Sequence, residues 1–292
     1  MSTKEVAYIQ DKKTEENIST TEGAFAQAQT PVKHNLPVSF TLRRQLDIQM
    51  SKLGTWKTSV CIKLGNKLVI TDFTNIRLVI SNLDGADIHH IPLLHFPYYI
   101  TAVYSNTVAV SCTNNRIILI IDISTCAVTS TIKTSDCCNG LSYKDNQLYV
   151  VIGRIKIHVM DLSGDIIRTI YLPSTYTFGV TVDRNRVVCI DHSFIYCCSL
   201  DGKLIWKFKN EKYQSLNRVT TDDEGNVYMT DWTTGTVVVV SDDGKTYREI
   251  LTKSDGLIHP GGIYFDRKEH VLFVCNNNDG RAFIFDVKKK IT

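Results

Sequence analysis

From residue 53 onward the chain repeats a unit of about forty residues. No other feature narrows the fold as much, because every unit must then build the same supersecondary element. Six segments read as a turn residue, an apolar strand and a polar step: NKLVITD, NTVAVSC, NQLYVVI, NRVVCID, GNVYMTD and HVLFVCN. With Leu68, Val108, Leu148, Val187, Val227 and Leu272 taken as equivalent, the intervals are 40, 40, 39, 40 and 45 residues. A second apolar run follows each of these (IRLVISN, RIILIID, KIHVMDL, FIYCCSL, TVVVVSD, RAFIFDV). Most of the second runs end at a turn: Asp84-Gly85, Thr125-Cys126, Ser163-Gly164, Asp201-Gly202 and Asp243-Gly244. One further strand follows the turn, and another precedes the next core strand. Four strands to a forty-residue unit is a propeller blade. No twelve-residue window of the body carries a sustained helical period, which excludes α/β barrels and doubly wound sheets with their crossover helices. The expected fold is all-β, a six-bladed β-propeller.

Closure of the ring follows from the last unit. After its third strand ends near Val287 only five residues remain, too few for an outer strand and its turn. The segment VSFTLRRQLDI, Val38 to Ile48, alternates Val38, Phe40 and Leu42 with polar residues and is predicted to pair with Arg281 to Val287. That pairing would hide an edge that otherwise invites aggregation. The predicted division is therefore a disordered polar tail over 1–37 and the propeller over 38–292. The tail holds few large apolar residues and neither a helical nor a strand period. Its Asn17-Ile18-Ser19 matches a glycosylation acceptor, a triplet common by chance.

The 33 Lys and Arg against 30 Asp and Glu leave a net charge of only +3, so neutralising phosphates is not the main source of any affinity. No apolar run approaches the roughly 20 residues that span a bilayer, and no signal-peptide core opens the chain. Nine cysteines, an odd number without a C-x-x-C, point to free thiols in a reducing compartment, and the expected location is cytoplasmic. Cys61, Cys112, Cys189 and Cys275 lie inside apolar runs, as small buried hydrophobes do.

The fifth unit, RVTTDDEGNVYMTDWTTGTVVVVSDDGK, resembles an NHL repeat throughout: strand, Asp, Gly-Asn turn, V-Y-x-T-D strand, short polar loop, valine-rich strand and Asp-Gly turn. NHL repeats build six-bladed propellers, and the stretch from 38 to 292 is similar to the C-terminal propeller of tripartite-motif (TRIM-NHL) proteins. Units two and three depart from the pattern, with Cys112 and Ile152 where others have Asp72, Asp191 and Asp231. In the tripartite-motif proteins whose propeller this stretch resembles, a ubiquitin-ligase RING, a B-box and a coiled coil are placed ahead of it. Residues 1–37 contain no Cys and one histidine, His34, so zinc modules are not expected in this chain. The resemblance implies a substrate-recognition domain without ligase catalysis of its own.

In such a propeller two sets of loops emerge on one face, and loops on a rigid scaffold are where binding residues concentrate. One set offers Tyr98, Tyr99, Tyr176, Phe178, Asn217 and Arg218; the other offers Asn114, Asn115, Arg154, His192, Trp232, Asn277 and Asn278. The expected partner-binding face carries Tyr98, Arg154, Tyr176, His192, Arg218, Trp232 and Asn277, a palette of aromatics, Arg and Asn. No catalytic residue, metal or small-molecule cofactor is expected, nor a membrane partner. Binding of a protein partner is the first reading and single-stranded RNA the second, since RNA readers usually show a basic stripe with interleaved aromatics. A third reading is enzymatic, because six-bladed propellers also host metal-dependent lactonases and an NHL-like amidating lyase. That chemistry would draw on Asp72, Asp191, Asp231 and His192, yet a repeating second-strand Asp is better explained as an acceptor for backbone N–H groups of the adjacent turn. His89, His90 and His95 lack a carboxylate in register for a metal.

Overall fold

The computed structural model describes residues 31–33, 36, 38–48 and 58–289, and places six antiparallel sheets around a common axis. Two N-terminal strands, β1 (Val32–Lys33) and β2 (Val38–Asp47), come first. Blade one follows as β3 (Thr58–Leu64), β4 (Lys67–Asp72), β5 (Arg77–Asn82) and β6 (His89–Pro92), from axis to rim. Blade two is β7 (Tyr99–Tyr104), β8 (Thr107–Cys112), β9 (Ile117–Asp122) and β10 (Ala127–Lys133). Blade three is β11 (Cys138–Lys144), β12 (Gln147–Ile152), β13 (Lys156–Met160) and β14 (Ile166–Tyr171). Blade four is β15 (Gly179–Asp183), β16 (Arg186–Ile190), β17 (Phe194–Ser199) and β18 (Leu204–Lys209). Blade five is β19 (Leu216–Thr221), β20 (Val227–Asp231), β21 (Thr236–Val240) and β22 (Thr246–Leu251). Blade six has three consecutive strands, β23 (Pro260–Asp266), β24 (Val271–Asn276) and β25 (Arg281–Lys289).

The repeat read from sequence is the packing repeat. Leu68, Val108, Leu148, Val187, Val227 and Leu272 are each 0% exposed. Second and third strands are buried on both faces between neighbouring blades, which is why they read as continuous apolar runs instead of alternating ones; β21, TVVVV, is buried along its whole length. Turn chemistry follows the same beat. Gly244 ends its turn at φ +74, and in blade two Cys126 occupies the equivalent left-handed position at φ +56, where a Cβ is disfavoured.

β2 supplies the fourth strand of blade six, pairing antiparallel with β25 from Val38 opposite Lys289 to Asp47 opposite Arg281. The sequence pattern of β2 breaks midway. A register shift between Leu42 and Arg44 leaves Leu42 exposed and turns Leu46 and Ile48 inward instead. Arg43 bonds Asp286 at 2.6 Å across the seam. β1 adds a fifth strand, parallel to β22, on blade five, ahead of the boundary at residue 38 that the repeats suggest. Arg248 of β22 donates to the carbonyls of Leu36 and Val38, tying the incoming chain to blade five before it reaches blade six.

All nine cysteines are free thiols, and Cys61, Cys112, Cys189 and Cys275 are buried. Burial pushes the Cys112 thiol up to about 12 and that of Cys138 to about 11, so both stay protonated and unreactive at neutral pH. In native protein at pH 7.5 a disulfide-exchange reagent is expected to label the exposed Cys126 and the half-buried Cys137 quickly, with the remaining seven reacting only after denaturant. Fast labelling of Cys112 or Cys275 would contradict this packing.

Candidate binding face

Loops joining each outer strand to the next inner strand, and each second strand to its third, emerge on one face. Tyr98, Arg154, Tyr176, His192, Trp232 and Asn277 all lie on these loops. The structure gathers most of them, with neighbours, into three pads. At the junction of blades one and two, Phe73 packs against Phe96 and Tyr98, both centroids at 4.8 Å, and Leu94 beside them is 91% exposed. At the junction of blades three and four the Arg154 guanidinium lies 4.3 Å over the Tyr176 ring, and His192 sits against Tyr176 at 5.5 Å and Phe178 at 4.7 Å. At the junction of blades five and six Trp232 stacks on His259 at 4.0 Å and 15°. The Asn277 N–H donates to the His259 carbonyl, and the Asn278 amide lies 3.4 Å from the His259 ring. The pads therefore occupy every second junction. Tyr176 and Trp232 stay 47% and 36% exposed, and Ile155 and Ile258 widen the apolar surface beside them.

Backbone geometry fixes these loops. Asp191 accepts the Ser193 and Phe194 N–H groups with one oxygen, and the Ser174 and Tyr196 hydroxyls with the other. Asp231 accepts the Thr234 N–H and hydroxyl, and its second oxygen takes the Ser215 N–H from the preceding loop. Asp72 binds the Asn75 N–H and the Arg77 Nε, both at about 3 Å. In blade six Asn276 takes the same place, accepting from the Ile258 N–H and donating to the Gly256 carbonyl. The second-strand carboxylates thus hold loop backbone, as the sequence pattern suggests; Asp191 and Asp231 also staple the two loop sets together, whereas Asp72 bonds only its own loop and the start of β5. Asp231→Ala leaves buried N–H groups without acceptors and is expected to cost about 2–3 kcal/mol, read as a lowered denaturant midpoint. An unchanged midpoint would return that carboxylate to the enzymatic reading. Among the described residues no group of three or more His, Cys, Asp and Glu converges as a metal site.

Arg218 stands apart from the other six. It lies within the inner strand β19, and its guanidinium projects over the axis, 4.2 Å from the ring of Tyr99 on the opposite blade, with a 3.2 Å bond to the Tyr99 hydroxyl. The same guanidinium donates to the Asn217 carbonyl and side-chain oxygens. Burial draws the Arg218 pKa below its ordinary value, while burial raises that of Tyr99. The pair sits at the loop-face end of an axial cavity of about 630 Å³. Sequence reading missed Phe73, Leu94, Phe96 and His259. The dense run LLHFPYY was a visible signal for two of them, whereas His259 reads as the mere start of a strand.

At the sequence level no family model and no curated protein matches the chain. Its fold is shared with solved propellers. The β-propeller domain of Cps50 (Swd1) from Myceliophteria thermophila superposes with a TM-score of 0.64 at 10% identity, over 85% of this chain and 100% of that one. A chain of the mitotic checkpoint complex gives 0.63 at 9% identity, over 98% and 99%. Virginiamycin B lyase from Staphylococcus aureus gives 0.60 at 15% identity, over 85% and 99%. Identities this low show a common architecture alone.

Proposed function

We propose that the protein is a non-catalytic, NHL-like recognition module that binds a protein partner across the loop face. The role corresponds to the substrate-selecting propeller of tripartite-motif ubiquitin ligases, here in the reducing cytoplasm. One observation carries the reading: Leu94, Phe96, Ile155, Tyr176, Trp232 and Ile258, six of the fifteen exposed large hydrophobic side chains among the described residues, lie in or beside three aromatic pads on the loop face. The other nine are scattered over outer strands, the N-terminal strands and the turn end of β7. Charge around them is sparse and of both signs, with Arg116, Arg154 and Lys253 against Asp136, Glu211 and Asp255. Apolar anchors inside a near-neutral rim suit a protein surface better than a phosphate backbone. The checkpoint-complex neighbour belongs to a protein assembly, which accords with this use of the fold. A lyase neighbour keeps the enzymatic alternative in view, but the repeated carboxylates of this chain are bonded to loop backbone. No helix among the described residues is long and apolar enough to cross a membrane.

The Arg154–Tyr176 stack is the one feature that favours single-stranded RNA, since guanidinium and aromatic planes both stack on bases. Capture from native lysate, with and without ribonuclease, separates the two. A partner retained after ribonuclease and lost with Trp232→Ala is the expected result. Capture that vanishes with ribonuclease assigns the face to RNA.

A further inference from the structure

The axial cavity is chemically unlike the loop face. It is formed by the six inner strands, and its far end is ringed by the turns that lead from inner to second strands, on the opposite side of the molecule. Its ionic lining is five cations, Lys63, Lys144, Arg218, Arg267 and Lys268, with a single carboxylate, Asp266. That carboxylate is already engaged by Lys63, which also reaches Glu269. Arg267 is held by Asp183 at 2.9 Å. Lys144, whose ammonium meets the Arg184 carbonyl and lies 3.4 Å from Asp145, stands with Lys268 at the turn end and Arg218 at the loop-face end, so positive charge is present at both ends of one space. Between them the walls carry the hydroxyls of Thr101, Thr181 and Thr220, each half-buried, beside apolar Ile62 and Ile100. A volume of about 630 Å³ lies within the range of small-molecule sites. The lining cations outnumber the lining carboxylate, and low-dielectric walls strengthen the resulting positive potential in the space between them.

We propose that the axial cavity is a binding site for a small phosphate-bearing anion, entered from the turn face and independent of the partner-binding loops. Two cations at the mouth and one at the far end match a molecule charged at both ends, with the threonine hydroxyls donating to its oxygens. The apolar wall gives an organic phosphate more to pack against than an inorganic one has.

Titration calorimetry on the full chain at 0.15 M salt tests this with fructose 1,6-bisphosphate and inorganic triphosphate as separate probes. One-to-one binding is expected, weakened at least tenfold by the double variant Lys144→Gln/Lys268→Gln at the mouth and unchanged by Trp232→Ala. Tighter binding of the bisphosphate identifies the ligand class as organic, and tighter binding of triphosphate identifies it as inorganic. Arg218→Gln should weaken binding as well. Because Arg218 also spans the ring, its variant is read only alongside its melting temperature, and the mouth variant carries the decision. Absence of binding by both probes up to millimolar concentration overturns the proposal. So does binding that the mouth variant leaves intact.

Discussion

Deleting residues 1–50 is expected to abolish the folded domain, while deleting 1–35 leaves it folded with a melting temperature within a few degrees of the full chain. The larger deletion removes β2 and with it every pairing partner of β25 on the rim side. It also removes Val38, Leu46 and Ile48, which are buried at 5%, 2% and 3% exposure. Burial of three such side chains is worth about 5–8 kcal/mol, set against a net stability of about 5–15 kcal/mol for an ordinary domain. The loss also exposes the edge of β25 and the tied seam at Arg43 and Asp286. The smaller deletion takes only β1, whose Val32 is 61% exposed and whose pairing with β22 covers two residues. Circular dichroism melts of the two truncations, compared with the full chain, decide it. Equal melting temperatures would mean that the seam contributes little and that the ring is held by blade-to-blade packing alone.

The double variant Tyr176→Ala/Trp232→Ala is expected to weaken partner binding by about 4 kcal/mol, close to a thousandfold. Each central aromatic anchor contributes about 2 kcal/mol. The two side chains sit on different blade junctions with separate stacking partners, so their losses should add. Both are substantially exposed, and the fold should be barely affected. Single variants measured by the same titration supply the check, with about thirtyfold expected for each. A loss confined to one of them would restrict the contact to a single pad, and no loss in either would place the partner elsewhere.

The fold was legible because it repeats. Six equivalent apolar strands at a nearly constant interval require six equivalent sheets, and the missing last strand of the final unit points back to the N-terminus. Local detail was less legible where one residue changes the geometry. The alternation of Val38, Phe40 and Leu42 promised three inward side chains, and the register shift after Leu42 redirects the strand so that Leu46 and Ile48 fill the space. The addition of β1 to blade five has no signal in two residues, Val32 and Lys33, that carry no strand pattern of their own. At the site, loop membership could be read from strand order, which is why six of the seven residues lie on one face. Their grouping into pads could not, because it depends on which loops of adjacent blades meet. Arg218 shows the limit most clearly: beside the loop in sequence, it has its side chain turned to the axis, and its ring partner Tyr99 is 119 residues away.

Hydrogen-exchange footprinting of the complex with the captured partner tests the central assignment most directly. Protection is predicted in the loops spanning 93–98, 153–155, 172–178, 191–193, 232–235 and 252–259, with the turns around 65–66, 145–146 and 267–270 unchanged. Protection concentrated on those turns or on the outer strands, with the loops exchanging as in the free protein, would contradict it.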